Sequence, residues 1–150
     1  MHVRKMTEAD KTAVIDMMRT FYASPALITH GSEEIFISNV ENCLSASPYL
    51  EGYVFEEEEG AGVCGYGMLA KSFSTEFGKP CVWIEDLYLR PEARGRGYGT
   101  AFLQFVRREY ADKLIRLEVE SGNEKALAVY KKCGFSPLPY VELVANEKTE

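Results

Sequence analysis

Two features between Cys81 and Thr100 carry residue types that can do chemistry. Glu85 and Asp86 stand side by side in the apolar run Cys81-Val-Trp-Ile-Glu-Asp-Leu-Tyr-Leu89, which reads as a strand. Pro91 breaks that run, and Arg94-Gly-Arg-Gly-Tyr-Gly-Thr100 then places glycines at 95, 97 and 99 among two arginines. Alternating glycines permit positive-φ backbone and close approach by a ligand. A turn of this kind opening a helix aims unpaired N–H groups, and the positive end of the helix dipole, at an anion such as phosphate. The turn is not the dinucleotide fingerprint G-x-G-x-x-G, because Thr100 stands where the last glycine belongs. It is not a Walker loop either, since no GKS or GKT follows. On the turn alone, a glycine-rich corner with no ligand is the competing explanation.

The elements that must position these residues follow from periodicity. His2–Lys5 alternates as a short strand, and Thr7-Glu-Ala-Asp10 forms a near capping box. Ala13, Val14, Met17, Met18 and Phe21 predict a helix over 10–21, and Ser32 caps a second helix whose apolar face is Ile35, Phe36, Val40 and Leu44. Tyr53–Phe55 and Val63–Leu69 predict a hairpin with the Glu56–Glu59 run at its exposed tip. The stretch 72–80 reads as a polar loop, with Phe73 and Phe77 folding back over a ligand. After the glycine turn come a helix over 97–110 and a strand over 114–120, in which Ile115, Leu117 and Val119 form the apolar phase. Asn123 begins another helix that Gly134 ends. Phe135 and Val141–Val144 are predicted as final strands, followed by a polar tail, Asn146–Glu150. This order predicts one α+β domain over 1–150, with mixed α/β character.

Composition narrows the function. The chain has 150 residues and a net charge of −6, but residues 90–132 carry ten Lys/Arg against six Asp/Glu. A positive segment inside an acidic chain suits a phosphate-bearing ligand meeting a cationic one, and it argues against nucleic acid as a partner. The four cysteines include no CxxC pair and no zinc-like spacing, so no metal site is expected. The N-terminus lacks a signal-peptide core and no apolar run is long enough for a membrane span, so a cytoplasmic location without a membrane anchor is expected.

Arg94-Gly-Arg-Gly97-Tyr-Gly99 resembles the R/Q-x-x-G-x-G/A signature of the GNAT superfamily of N-acetyltransferases. Asn123-Glu-Lys-Ala126-Leu-Ala-Val-Tyr130-Lys-Lys-Cys-Gly134-Phe135 resembles the same family's second motif, and the two lie in the right order. The resemblance implies a GNAT-like fold: a central, mostly antiparallel sheet with two splayed strands, flanked by about four helices. It implies acetyl-CoA as co-substrate, with the backbone of Leu87 and Leu89 pairing with the pantetheine arm. Arg94, Gly95, Arg96, Gly97, Tyr98, Gly99 and Thr100 would hold the pyrophosphate, and Asn123 would cap its helix or contact the cofactor.

The resemblance also implies acetyl transfer to a primary amine, with Glu85 as base or amine anchor and Tyr130 as acid toward the CoA sulfur. Periodicity alone makes Tyr130 a core residue of its helix. Asp86 reaches the site only if a bulge breaks the strand's alternation. Glu118, and behind it Glu120, are further substrate-facing candidates on the neighbouring strand. A small cationic amine is the expected acceptor, and many relatives form homodimers. Acetylation of a protein N-terminus or lysine, a non-catalytic acyl-CoA-binding module, and a nucleotide-binding protein remain as rivals.

Overall fold

The computed structural model describes residues 1–147; the last three residues of the predicted polar tail lie outside the described residues. Among them, the chain runs β1 (His2–Lys5), α1 (Lys11–Tyr22), α2 (Glu33–Leu44), β2 (Leu50–Glu56), β3 (Val63–Ser74), β4 (Lys79–Leu89), α3 (Tyr98–Glu109), β5 (Leu114–Leu117) and α4 (Glu124–Lys132). The strands form one sheet in sequential order. The first four pair antiparallel, and β4 pairs with β5 in parallel. A parallel neighbour needs a crossover, which α3 supplies. The class is α+β, as the sequence predicts.

Each face of the sheet buries its own core. On one face α3 lays Phe102, Leu103 and Val106 over Phe55, Leu69 and Val82. On the other, Val14 and Met17 of α1 and Val40 of α2 cover Val54, Tyr66 and Met68. The helical spacing of those residues and the strict alternation along β2 are what place them on opposite sides. Gly67 lets α3 press onto the sheet, since a Cβ there would stand 2.4 Å from the Phe102 ring. Local signals read from the sequence also hold. Asp10 Oδ2 accepts from both the amide and the hydroxyl of Thr7, and the Ser32 hydroxyl accepts from the Ile35 amide at 3.3 Å.

Four expectations change. Residues 72–80 are not a loop: β3 runs through Ser74 and β4 starts at Lys79, leaving a tight turn with Gly78 at φ +63°. Phe73 and Phe77 are exposed there, and of the two only Phe77 borders a cavity along β5. Glu56 is not at the hairpin tip but is buried at the end of β2, where Arg4 bonds it. β5 is shorter than predicted and stops at Leu117. No strand forms within 135–147, where Leu143 and Val141 are almost fully exposed. Pro137 and Pro139 remove two backbone donors just where that segment would begin to pair.

Candidate active site

The two adjacent carboxylates are separated by a bulge. Met68 pairs with Asp86 and Leu69 with Ile84, so Glu85 is an extra residue with no partner on β3. Regular alternation would turn Ile84 and Asp86 to the same face. The inserted residue instead keeps Ile84 in the α3-side core and turns Asp86 toward α1 and α2. Asp86 is buried, and its carboxylate accepts from the Tyr66 hydroxyl at 2.7 Å and from the Tyr22 hydroxyl at 3.3 Å. Burial pushes its pKa up, and the two phenols oppose that rise.

Glu85 is exposed by surface area, yet desolvation is the leading cause that pushes its carboxyl up, followed by the charges of Asp86 and Glu142. The upward direction stands on the neighbouring carboxylates alone.

Next to the bulge the sheet opens. Pairing between β4 and β5 covers only Cys81–Ile84 against Leu114–Leu117. Beyond it, Glu85–Leu89 continues with no strand on that edge among the described residues. Leu87 and Leu89 therefore lie on the uncovered edge, where the Leu89 carbonyl is already taken by the Arg94 side chain.

The far end of that edge leads through a short turn at Pro91–Ala93 into the glycine segment. Gly95 and Gly97 take φ of +72° and +79°, and a Cβ at 95, 97 or 99 would meet nothing within 4 Å. Gly97 caps α3 without a side chain, and the first bond of the helix is Ala101 N–H to Gly97 O at 2.9 Å. The amides of Tyr98, Gly99 and Thr100 thus lie ahead of the helical ladder, in the arrangement that binds anions. Neither arginine is idle. Arg94 Nε donates to Leu89 O at 3.0 Å, while Arg96 pairs with Glu57 and lies 5.0 Å from the Tyr98 ring centroid.

The remaining candidates flank β5. Asn123 caps α4 by accepting from the Ala126 amide at 3.2 Å. Tyr130 packs edge-on to Phe135 against the α3-side core, and burial pushes its phenol pKa up. Glu118 is pushed up to about 7 by desolvation, by a hydrogen bond with Glu142, and by the charges of Glu142 and Glu85. Glu120 instead accepts from the Gly122 amide at 2.9 Å and is committed to a turn.

A cavity of about 1050 Å³ runs along β5 and is lined by Trp83, Arg116, Glu118, Tyr130, Phe135 and Glu142 among others. It does not include Glu85 or the glycine turn. It exists because no described strand covers that side of β5. Tyr130 and Glu118 are the two candidate residues that line the cavity.

A β4 edge left uncovered beyond Ile84 and leading to a glycine-lined helix start lies within a stretch that matches a family model. Residues 15–135 fit the acetyltransferase (GNAT) family. The chain belongs to that family. It is an acyl-CoA-dependent N-acetyltransferase. Pig thialysine N-ε-acetyltransferase is 29% identical over 154 residues, covering 93% of this chain and 86% of that one. The mouse protein of the same name is 30% identical, covering 91% and 84%. The bovine one is 36% identical over 89 residues, covering 57% of this chain and 52% of its own length. Among solved structures, a possible acetyltransferase from Clostridium difficile 630 superposes with a TM-score of 0.83 at 15% identity, covering 98% and 97%. An aminoglycoside N-acetyltransferase in complex with CoA gives 0.79 at 14%, covering 98% and 95%. At those identities the structures speak for the fold alone.

Three side chains of this region escaped the sequence reading. Tyr22 and Tyr66 carry no local signal for a buried carboxylate partner, because the partner is fixed by a bulge. Glu142 was absorbed into a predicted strand, and only its alternation with Val141 and Leu143 hinted at a separate role.

Proposed function

We propose that this acetyltransferase moves an acetyl group from acetyl-CoA to a primary amine of a small cationic molecule, with Glu85 as amine anchor or base. The observation that carries this reading is the bulge: Glu85 has no partner on β3 and begins the stretch of β4 that β5 leaves uncovered and that leads to the glycine turn. The empty space around Gly95, Gly97 and Gly99 fits a pyrophosphate, which the amides of Arg94 to Thr100 would hold. The uncovered edge at Leu87 and Leu89 suits the amides of a pantetheine arm, with Arg94 already holding the Leu89 carbonyl. Asn123 serves that end of the site by fixing the start of α4.

An alkylammonium with a pKa of about 10.4 must lose a proton before it attacks, at a cost of about 4–5 kcal/mol at neutral pH. Glu85 binds the ammonium and, directly or through water, accepts that proton. Its raised pKa makes it a better acceptor. The amine nitrogen then bonds to the thioester carbonyl carbon, the carbon–sulfur bond breaks, Tyr130 gives its phenolic proton to the departing sulfur, and the proton that the new amide nitrogen must lose passes through water to the phenolate. Burial keeps that phenol protonated at neutral pH. Asp86 and Glu118 add negative potential around the amine. The thialysine acetyltransferases among its relatives support an acceptor amine at the end of a flexible chain.

The test is CoA release, followed as free thiol, with acetyl-CoA and a panel of diamines, aminoalkyl amino acids, aminoglycosides and lysine peptides. Glu85→Gln is expected to lower kcat/KM for the preferred amine by about 10²-fold or more. Stabilisation of the fold by acetyl-CoA with no turnover on any amine would instead make the protein a non-catalytic acyl-CoA-binding module.

A further inference from the structure

The reaction set out above makes no use of Tyr22, yet this residue ties three parts of the molecule together. It is the last residue of α1, and residues 23–32 leave directly from it. Its hydroxyl donates to Asp86 Oδ1 at 3.3 Å, while the other carboxylate oxygen is held by Tyr66 within the sheet. Its ring meets Phe21 and Phe36 edge-on, at 5.7 and 5.1 Å between centroids. Gly31, at the far end of the same loop, closes onto those rings with φ +65°. A Cβ there would stand 2.6 Å from Phe36 and 2.9 Å from Tyr22. Both ends of the loop are thus clamped on one tyrosine, and that tyrosine is bonded to the residue following the bulged Glu85.

We propose that Tyr22 is a positioning residue that latches the 23–32 loop to the Glu85 bulge and so sets which amines the site accepts. The proposal rests on the reading of that bulge as the amine site. The start of the loop is also held to α1 by turn bonds from Ala23 to Arg19 O and from Ser24 to Phe21 O, and the Arg19–Glu33 pair links α1 to the residue after the loop's far end. That pair is exposed on both sides, and exposed pairs hold little. The phenol–carboxylate bond is shielded from water and anchored to the sheet, so it is the contact that keeps loop and bulge in register.

Tyr22→Phe keeps the ring and removes only the latch. Its loop amides, 23–32, should exchange with deuterium faster than in the parent while β4 and α3 stay unchanged. The KM for the preferred amine should rise about 3–10-fold, the span of one lost hydrogen bond, with kcat and the acetyl-CoA KM within about twofold. Gly31→Ala should reproduce both effects with the phenol still present. Tyr66→Phe, whose hydroxyl serves Asp86 from within the sheet, should lower the melting temperature without freeing the loop.

Unchanged loop exchange in Tyr22→Phe overturns the latch. A parallel rise of both KM values overturns it too, because that marks general loosening. If the parent protein acetylates no amine, the proposed function fails on its own, and the exchange measurement still decides whether the latch exists.

Discussion

Replacing Glu142 with glutamine probes the acidic cluster at the edge of the site. Folding moves Glu118 from the ordinary 4.5 to about 7, through desolvation, the bond with Glu142 and the charges of Glu142 and Glu85. Between those values the native protein holds a proton that the unfolded chain has released. Stability therefore falls as pH rises from 4.5 to about 7, and the deficit persists above that range. The full displacement would correspond to about 3.4 kcal/mol at ~1.36 kcal/mol per pH unit. Glu118 is exposed, however, and solvent screening leaves about 1 kcal/mol of it.

Glu142→Gln removes the nearby charge, so the variant should be the more stable protein at about pH 8. The gap should be about 2–4 °C in Tm for a chain of this length. It should close toward about pH 4–5, where Glu118 carries its proton in the parent and has no charge for Glu142 to repel, and shrink in about 0.5 M salt. Thermal melts of parent and variant across that range measure it. A gap of equal size at both ends of the range, or a less stable variant at high pH, would refute the idea that these carboxylates repel one another.

Two further outcomes follow from single side chains. Tyr130→Phe keeps the packing against Phe135 and loses the proton donor, so kcat should fall about 10–10³-fold with the acetyl-CoA KM nearly unchanged, read as CoA release. Gly97→Ala forces a left-handed conformation at φ +79° and costs about 1–2 kcal/mol of stability by denaturant titration. The new methyl also enters the space assigned to phosphate, so the acetyl-CoA KM should rise several-fold while the amine KM does not.

The sequence made the fold legible where period and punctuation agreed. Val14, Met17 and Met18 at helical spacing, Ser32 and Asn123 as caps, and Gly134 at φ +88° all sit where their types predict. It failed where pairing between strands decided the outcome. The turn at 75–78 looked like a long loop because Ser, Thr, Gly and Pro there signal irregular chain, while register with β3 extends both strands across most of it. The run 141–144 looked like a strand because it alternates, but alternation describes a face and does not supply a partner.

The bulge belongs to the same class. Glu85-Asp86 was visible as a pair of carboxylates, yet the face that Asp86 takes relative to Ile84 depends on Leu69 pairing with Ile84 rather than Glu85. No residue type within β4 announces that shift. The anion end was easier to read, because a positive-φ turn is encoded by glycine itself.

The two ends of the site differ in how their charge is already answered, and that difference has a measurable consequence. At the anion end Arg96 is paired with Glu57 and Arg94 is bonded to a carbonyl, while the amides ahead of α3 provide attraction that side-chain charge does not control. An arriving phosphate therefore exchanges one carboxylate for another anion. At the amine end Asp86 is held by two phenols and Glu118 by another carboxyl, with Glu85 close enough to raise Glu118 further. None of these three forms an ion pair with a described lysine or arginine in the way that Glu51 or Glu56 does. Uncompensated charge near the surface is what salt screens most effectively. Raising ionic strength from about 0.05 to 0.5 M should thus increase the KM of a cationic amine several-fold and that of acetyl-CoA by less. Glu57→Gln, which frees Arg96, should tighten acetyl-CoA by no more than about fivefold, the ceiling of an exposed ion pair. Equal salt slopes for the two substrates would mean that the carboxylates at the bulge do not face the amine at all.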